Sequence, residues 1–175
     1  MQVPIPKFSL IEKSFDRIDY FDCFMLKSDK ASDISFESCI YHFFYDYPIW
    51  IKWLFQLRLK IGSLFGDTKP RNTNSDFFKP EISLVKGGKA SFFTVVDLHE
   101  NEIMLKATDT HLDACLSFFK HTKNGQCELT ISTTVHFNNR FGKIYFFFIK
   151  PFHKLIIIAL LKRFIGNLQD YKQKQ

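Results

Sequence analysis

The amino-acid sequence predicts an α+β fold: an antiparallel sheet, two helices after its first strand, and a long C-terminal helix across the sheet. Apolar residues recur at helical spacing before Gly66 and alternate with a period of two from Ile82 onward. The most apolar stretch, Ile144–Leu161, comes last. The 175 residues fit one domain, expected over 16–166, between an N-terminal extension (1–15) and a polar tail (167–175).

The first part of the chain predicts one strand and two helices. Arg17–Lys27 alternates weakly and is rich in aromatic residues, which favours a first strand. Helices are expected over Phe36–Asp46 and Ile49–Phe65, and Pro48 stands where proline commonly starts a helix. Asp67–Pro80, with two prolines and two asparagines, is expected to be a loop.

The second part predicts five strands, which are Ile82–Lys86, Lys89–Leu98, Glu102–Thr108, His111–Thr122 and Gln126–Asn138. Gly87-Gly88 is expected to join the first two as a hairpin, and Asn124-Gly125 marks the clearest hairpin. A two-residue turn at Asn124-Gly125 places Leu112 opposite Phe137 and Asp113 opposite His136.

This register gives the last hairpin two different faces. The apolar face, expected to form a core or cavity wall, carries Leu112, Ala114, Leu116, Phe118, Ile131, Thr133, Val135 and Phe137. The other face, expected to meet mostly water, carries Asp113, Cys115, Ser117, Phe119, His121, Glu128, Thr130, Ser132, Thr134 and His136.

The net charge of +6 is concentrated at the C-terminal end, because residues 139–175 hold eight basic side chains against Asp170 alone. Lys150, Pro151 and Lys154 interrupt the apolar run, so we expect a core helix with one charged face and no transmembrane segment. On a helical projection one side carries Arg140, Lys143, Lys150 and Lys154, and the other carries Phe141, Tyr145, Phe148, Phe152, Leu155 and Ile156. The basic stripe is too short to indicate nucleic-acid binding.

Several classes of protein are excluded by what the sequence lacks. The N-terminus has no apolar stretch typical of a signal peptide, so a cytoplasmic location is expected. The four cysteines have neither metal-ligand nor disulfide-framework spacing, and no glycine-rich dinucleotide fingerprint is present. We therefore expect no metal and no cofactor.

Two groups of residues are candidates for chemistry. Arg58 stands among apolar positions of the second predicted helix, where it either makes a structural ion pair, reaches to water, or holds an anionic ligand. His111 and Asp113 alternate on a predicted strand, and His136 lies opposite Asp113, so the three are weak catalytic candidates or a surface arrangement. His153 falls at the edge of the apolar side of the last helix, as a core histidine or a pocket residue.

Several segments together carry a resemblance to a known family. They are Asp19–Phe24, Tyr47–Gly66, Asn101–Asp113, Asn138–Tyr145 and Ile149–Ile156. The most specific parts are Asp109–Asp113 and Pro151–His153. Over roughly residues 16 to 165 the chain resembles the DUF2867 family, a domain of unknown function.

The resemblance implies a START-like, helix-grip fold, in which a curved antiparallel sheet wraps round the C-terminal helix and leaves a cavity between. Similar domains occur fused to NAD-binding reductase-like domains, which would make a reductase a partner in trans here. The family usually has an arginine where this sequence has Cys115. It brings no assigned catalytic residues.

Three hypotheses of function follow. The first is a non-catalytic carrier or sensor of a small apolar or amphipathic ligand, held by Leu112, Leu116, Ile131, Val135, Phe148 and Phe152, with Arg58 or His153 fixing a polar or anionic end. The second is an enzyme with His111, Asp113 or His153 as acid or base. The third is a peripheral module that meets an anionic membrane surface or another protein through the basic last helix.

Overall fold

The computed structural model describes residues 2–28, 35–54, 56, 82–123 and 126–170 and confirms the α+β class. Its elements are a 3-10 helix (Leu10–Lys13), β1 (Tyr20–Ser28), α1 (Phe36–Phe44), α2 (49–54), β2 (Lys89–Ala90), β3 (Phe93–Leu98), β4 (Glu102–Thr108), β5 (Leu112–Lys123), β6 (Gln126–Phe137) and α3 (Arg140–Asp170). The rest of the second predicted helix, including Arg58, and the predicted loop Asp67–Pro80 lie outside the described residues.

The six described strands form one antiparallel sheet in the order β1-β6-β5-β4-β3-β2. The register predicted from Asn124-Gly125 is confirmed along the whole hairpin, from Lys123 opposite Gln126 to Leu112 opposite Phe137. A two-residue turn fixes which residues pair, and a shift by one would exchange the two faces.

The hairpin predicted around Gly87-Gly88 forms only in part. Ile82 bridges Ala90 in antiparallel fashion, Ser83 N donates to Lys89 O (2.8 Å), and a tight turn between them is closed by a hydrogen bond from Gly88 N to Val85 O. Gly87 takes the positive φ of 85° that this turn needs, but Ile82–Lys86 does not form a full strand. The predicted strand Lys89–Leu98 is divided by a second turn, where Ser91 has a φ of 58° and β2 pairs with β3.

The C-terminal helix α3 begins where Asn139 accepts a hydrogen bond from Gly142 N (2.9 Å). Gly142 lies against the His111 carbonyl, where a Cβ would collide with it. Further along, Ile157, Leu160 and Phe164 enter the main core beside Phe24, Phe118 and other side chains of the sheet. The helix therefore lies across the apolar face, as predicted.

The helix presents the predicted side to the sheet only in part: Tyr145 is buried and Ile156 packs against the core, but other members of that side face outward. Phe148 is 51% exposed and Leu155 is 54% exposed, whereas Phe146 and Ile157 are buried. The helix carries large apolar residues almost all round, since Phe146, Phe147 and Phe148 are consecutive. Its own hydropathy pattern therefore could not specify which of them would contact the sheet.

The second face of the sheet is covered by residues 2–17, which we call the N-terminal segment. Its 3-10 helix packs on β4, β5 and β6, and Ile11 is completely buried. Val3 N donates to Cys23 O (2.9 Å), and Gln2 forms a bridge with Phe24 on β1. The expectation that this face meets water is wrong for its central residues, which are Cys115, Ser117, Thr130, Ser132 and Thr134.

The N-terminal segment is held by a buried carboxylate. Glu102 on β4 is 2% exposed and accepts hydrogen bonds from Ser9 Oγ (2.6 Å), Leu10 N (2.8 Å) and Ser117 Oγ. A buried carboxylate is tolerated only where donors surround it, so these bonds fix the segment to the sheet. The expected domain limits, 16–166, stay a prediction.

Candidate functional site

A cavity of about 180 Å³ lies between the sheet and α3. Helices α1 and α2 and the β2–β3 turn complete its wall. The apolar lining residues are Phe43, Phe44, Tyr47, Ile51, Leu54, Phe92, Phe93, Ala107, Leu112, Ala114, Leu116, Val135, Tyr145, Phe146, Ile149, Phe152, Ile156, Ile157 and Leu160. Ser91, Asp109, Cys115, Thr133 and His153 complete the described lining.

Most of the residues named from the sequence for a pocket stand at this cavity. Leu112, Leu116, Val135, Phe152 and His153 line it. Ile131 instead lies within the packed core, 2% exposed. Phe148 lies on the outer side of α3, and Arg58 belongs to the part of the chain that the structure does not describe.

One polar cluster adjoins the apolar wall. His153 Nε2 lies 3.1 Å from Asp22 Oδ2, and the Tyr20 hydroxyl donates to the same oxygen at 2.7 Å. Asp22 is completely buried, while the His153 side chain is 21% exposed. His153 thus borders the cavity with Asp22 behind it.

Thr133 lies beside this cluster, directly opposite Asp22 in the β1–β6 register. Its hydroxyl is buried and makes no hydrogen bond of ordinary distance and angle with any described residue. It is nevertheless close enough to Asp22 to help stabilise the carboxylate. Thr133 also lines the cavity, so its hydroxyl is a further polar group at this end of the wall.

The pKa of Asp22 reflects opposing influences. Burial alone raises the pKa of this carboxyl, but the hydrogen bond and charge of His153, with weaker help from Tyr20 and Thr133, bring the pKa below its ordinary value. The pKa of Tyr20 is raised, first by burial and then by its bond to the Asp22 carboxylate. At neutral pH the cluster therefore contains an ionised Asp22 and a protonated Tyr20.

The alternation of β1 explains how these side chains meet. Tyr20, Asp22 and Phe24 point to the same face of the sheet because they are two residues apart. Phe24 continues into the core, so Asp22 occupies a position where an apolar residue would ordinarily stand. Asp22 and Tyr20 lie in a stretch that carries the family resemblance, but they were not predicted as site residues. An aspartate on the core face of a strand was the signal that could have found them.

The other predicted candidates lie elsewhere. Asp113 is opposite His136, as the register predicts, but Asp113 pairs with Lys106 (3.3 Å), and His136 pairs with Asp19 (3.3 Å). His111 precedes β5 rather than lying in it, and its ring contacts Phe141 at the start of α3. No described hydrogen bond or ion pair joins His111 or Asp113 to His153.

Within the described ranges, no group of three or more His, Cys, Asp or Glu side chains could hold a metal ion. All four cysteines are buried and none forms a disulfide. Burial raises the pKa of Cys115 to about 12, so its thiol is a poor nucleophile near neutral pH. Cys115 lies on the strand face that the N-terminal segment covers.

Asp22 itself is poorly suited to act as a general base. A general base works best with a pKa near the working pH, and Asp22 has a lowered pKa. Asp22 instead anchors the imidazole of His153, which fixes the ring at the border of the cavity.

Fold and site together define an α+β domain with a small apolar cavity between its sheet and C-terminal helix, bordered by an anchored histidine. A family profile described as a protein of unknown function (DUF2867) matches residues 14–160, and the chain belongs to this family. No curated protein matches the chain, and no solved structure matches it.

Proposed function

We propose that this protein binds a small, largely apolar ligand in the cavity beneath α3. The observation that carries the proposal is the cavity itself, which is lined almost entirely by apolar side chains and has His153 and Thr133 at its border. Dry apolar cavities of roughly 150 Å³ bind molecules such as benzene, whereas drug-sized sites begin at about 300 Å³. A cavity of about 180 Å³ therefore fits a compact ligand of one ring or a short chain.

The polar end of the ligand is expected at His153. Because Asp22 already balances any positive charge on this ring, we infer a hydroxyl or carbonyl group there rather than a carboxylate. The sequence predicted a ligand with a polar or anionic end, and this inference restricts that end to an uncharged polar group. The prediction that Arg58 contacts the polar end of the ligand stays a prediction.

We also infer that the domain has the helix-grip architecture of START-like proteins. The strand order supports this, since β1 pairs with the last strand and the helices α1 and α2 follow β1 directly. The long C-terminal helix across the apolar face supports it further. A cytoplasmic location and a reductase partner stay predictions.

Binding is tested with toluene and phenol as probes, followed by protein-observed NMR or native mass spectrometry. Ala114→Phe places a ring in the cavity wall and should abolish binding of both probes. Thr122→Phe adds the same ring at an exposed position of β5 and should leave binding unchanged. Binding that is absent in the native protein, or that survives Ala114→Phe, would remove the cavity as the ligand site.

The polar contact is tested separately. His153→Leu should lower phenol affinity about fivefold while toluene affinity stays the same, because one hydrogen bond contributes about 1 kcal/mol. Equal losses for the two probes would show that His153 does not recognise the polar end.

A further inference from the structure

The outer side of α3 carries a row of exposed apolar side chains. We call Ile144, Phe147, Phe148, Phe152, Leu155 and Ile158 the apolar stripe; their exposed fractions range from 40% to 73%. Successive members are one to four residues apart, so they lie on one side of the helix over a length of about 21 Å. An exposed apolar surface of this extent marks an interaction site in a folded protein.

The charges around the stripe all have one sign. From Arg140 to Gln169 the sequence contains no acidic residue. On a projection of 100° per residue, Lys143, Lys150 and Lys154 form one flank of the stripe, between it and the buried side. Arg140 and Lys162 stand near its two ends and are exposed.

The opposite side of the same helix belongs to the folded core. By length and composition alone, the helix is apolar enough over Arg140–Phe164 to cross a membrane, but the core helix of a folded domain can be equally long and apolar. Ile157, Leu160 and Phe164 pack in the core, and Arg163 Nη2 lies 2.8 Å from Asp46 Oδ1 beyond α1. A helix fixed to a sheet along one side can lie on a bilayer without crossing it.

We propose that the apolar stripe docks on the surface of an anionic lipid bilayer. Phenylalanine, leucine and isoleucine side chains enter the boundary between headgroups and acyl chains, and the flanking lysines reach the anionic headgroups. The charge selects this partner: an apolar stripe with a cationic flank and basic residues near both ends complements an anionic lipid surface. Phe152 belongs to the stripe and also lines the cavity, so docking would bring the cavity wall to the lipid.

The test is co-sedimentation of the full chain with vesicles of phosphatidylcholine containing about 30% phosphatidylserine, compared with phosphatidylcholine alone. Binding is expected to the anionic vesicles and should fall steeply when salt is raised to about 0.5 M. Lys143→Gln/Lys154→Gln should lower the partition coefficient about 30-fold, roughly fivefold per lysine. Lys7→Gln/Lys13→Gln removes the same charge from the N-terminal segment and should change it little.

The contribution of the apolar stripe to vesicle binding is tested with one variant in the stripe and one matched control variant. Phe148→Ser should weaken vesicle binding about tenfold. Phe21→Ser, which removes a ring of nearly equal exposure (52% against 51%) from the opposite face of the sheet, should not. Both positions are surface positions, and circular dichroism should show that all four variants remain folded.

Three outcomes would overturn the proposal. The first is equal binding to neutral and anionic vesicles, and the second is equal loss in the stripe variants and their controls. The third is self-association, seen by analytical ultracentrifugation and abolished by Phe148→Ser, without vesicle binding, which would assign the stripe to a second copy of the chain. None of these results depends on whether the cavity holds a ligand.

Discussion

Removing the imidazole of His153 should destabilise the protein more than neutralising its partner Asp22. Asp22 is completely buried and His153 is partly exposed, so the two substitutions should lower the free energy of unfolding by different amounts. His153→Ala leaves the buried Asp22 carboxylate without its imidazole partner, and breaking a buried pair costs about 3–5 kcal/mol. Water at the exposed fifth of His153 moderates this, so we expect a loss of about 2–3 kcal/mol at pH 7.

Asp22→Asn should cost only about 1 kcal/mol at pH 7. The amide oxygen can still accept the Tyr20 hydrogen bond, and the partly exposed His153 ring can still reach water. The double variant Asp22→Asn/His153→Ala should lose less free energy of unfolding than the sum of the two single losses. The difference, which is the coupling energy, should be about 1–2 kcal/mol. Urea unfolding followed by circular dichroism measures all four proteins.

The pH dependence supplies an independent readout. The pKa of Asp22 is below its ordinary value in the folded state, so its contribution to stability is present above about pH 4 and is lost as the pH falls through the folded pKa. The difference between native protein and Asp22→Asn should therefore shrink at acid pH. In His153→Ala the burial of Asp22 is opposed only by Tyr20 and Thr133, so the pKa of Asp22 rises and the deficit of that variant should also shrink as the pH falls from 7.

Asp97→Asn is the matched control for the charge, because Asp97 lies on β3 with a 35% exposed side chain and distant cationic partners. It should change the free energy of unfolding by less than about 0.5 kcal/mol. The reasoning is refuted if His153→Ala and Asp22→Asn cost the same and their costs add in the double variant.

Three further substitutions test other parts of the structure. Tyr20→Phe should cost about 1–2 kcal/mol through its lost bond to a carboxylate, measured by urea unfolding; an unchanged midpoint would contradict the contact. Glu102→Gln should loosen the N-terminal segment, so limited proteolysis should cut this segment earlier than in the native protein. Unchanged cleavage would show that Glu102 does not hold the segment on the sheet. Gly142→Ala should lower the melting temperature, because the new Cβ meets the His111 carbonyl. A raised melting temperature, as the higher helix propensity of alanine alone would give, would show that the contact relaxes.

Local signals in the sequence accounted for the register of the sheet. Asn124-Gly125 fixes a two-residue turn, and everything paired along β5 and β6 follows from it. Gly87-Gly88 gave the same kind of signal, and a turn forms there with Gly87 at positive φ. The segment before that turn makes one bridge with Ala90 rather than a full strand, and alternation of apolar residues alone did not show this difference.

Contacts between distant parts of the chain could not be predicted in the same way. The polar face of the hairpin looked like a solvent surface until residues 2–17 were seen to cover it, because serine and threonine suit both water and a hydrogen-bonded interior. At the site, His153 was named because it lies on an apolar helix. Its partner Asp22 lies 131 positions earlier, and only the fold brings the two together.

The covering of the second sheet face bears on where this chain can be cut for expression. The family match begins at residue 14, yet Ser9 and Leu10 bind the buried Glu102, and Val3 pairs with the edge of β1. Protein started at the match would leave that carboxylate without two of its donors and would expose an unpaired strand edge, which invites aggregation. Residues 2–13 should therefore be kept in any shortened version, although they lie outside the family match.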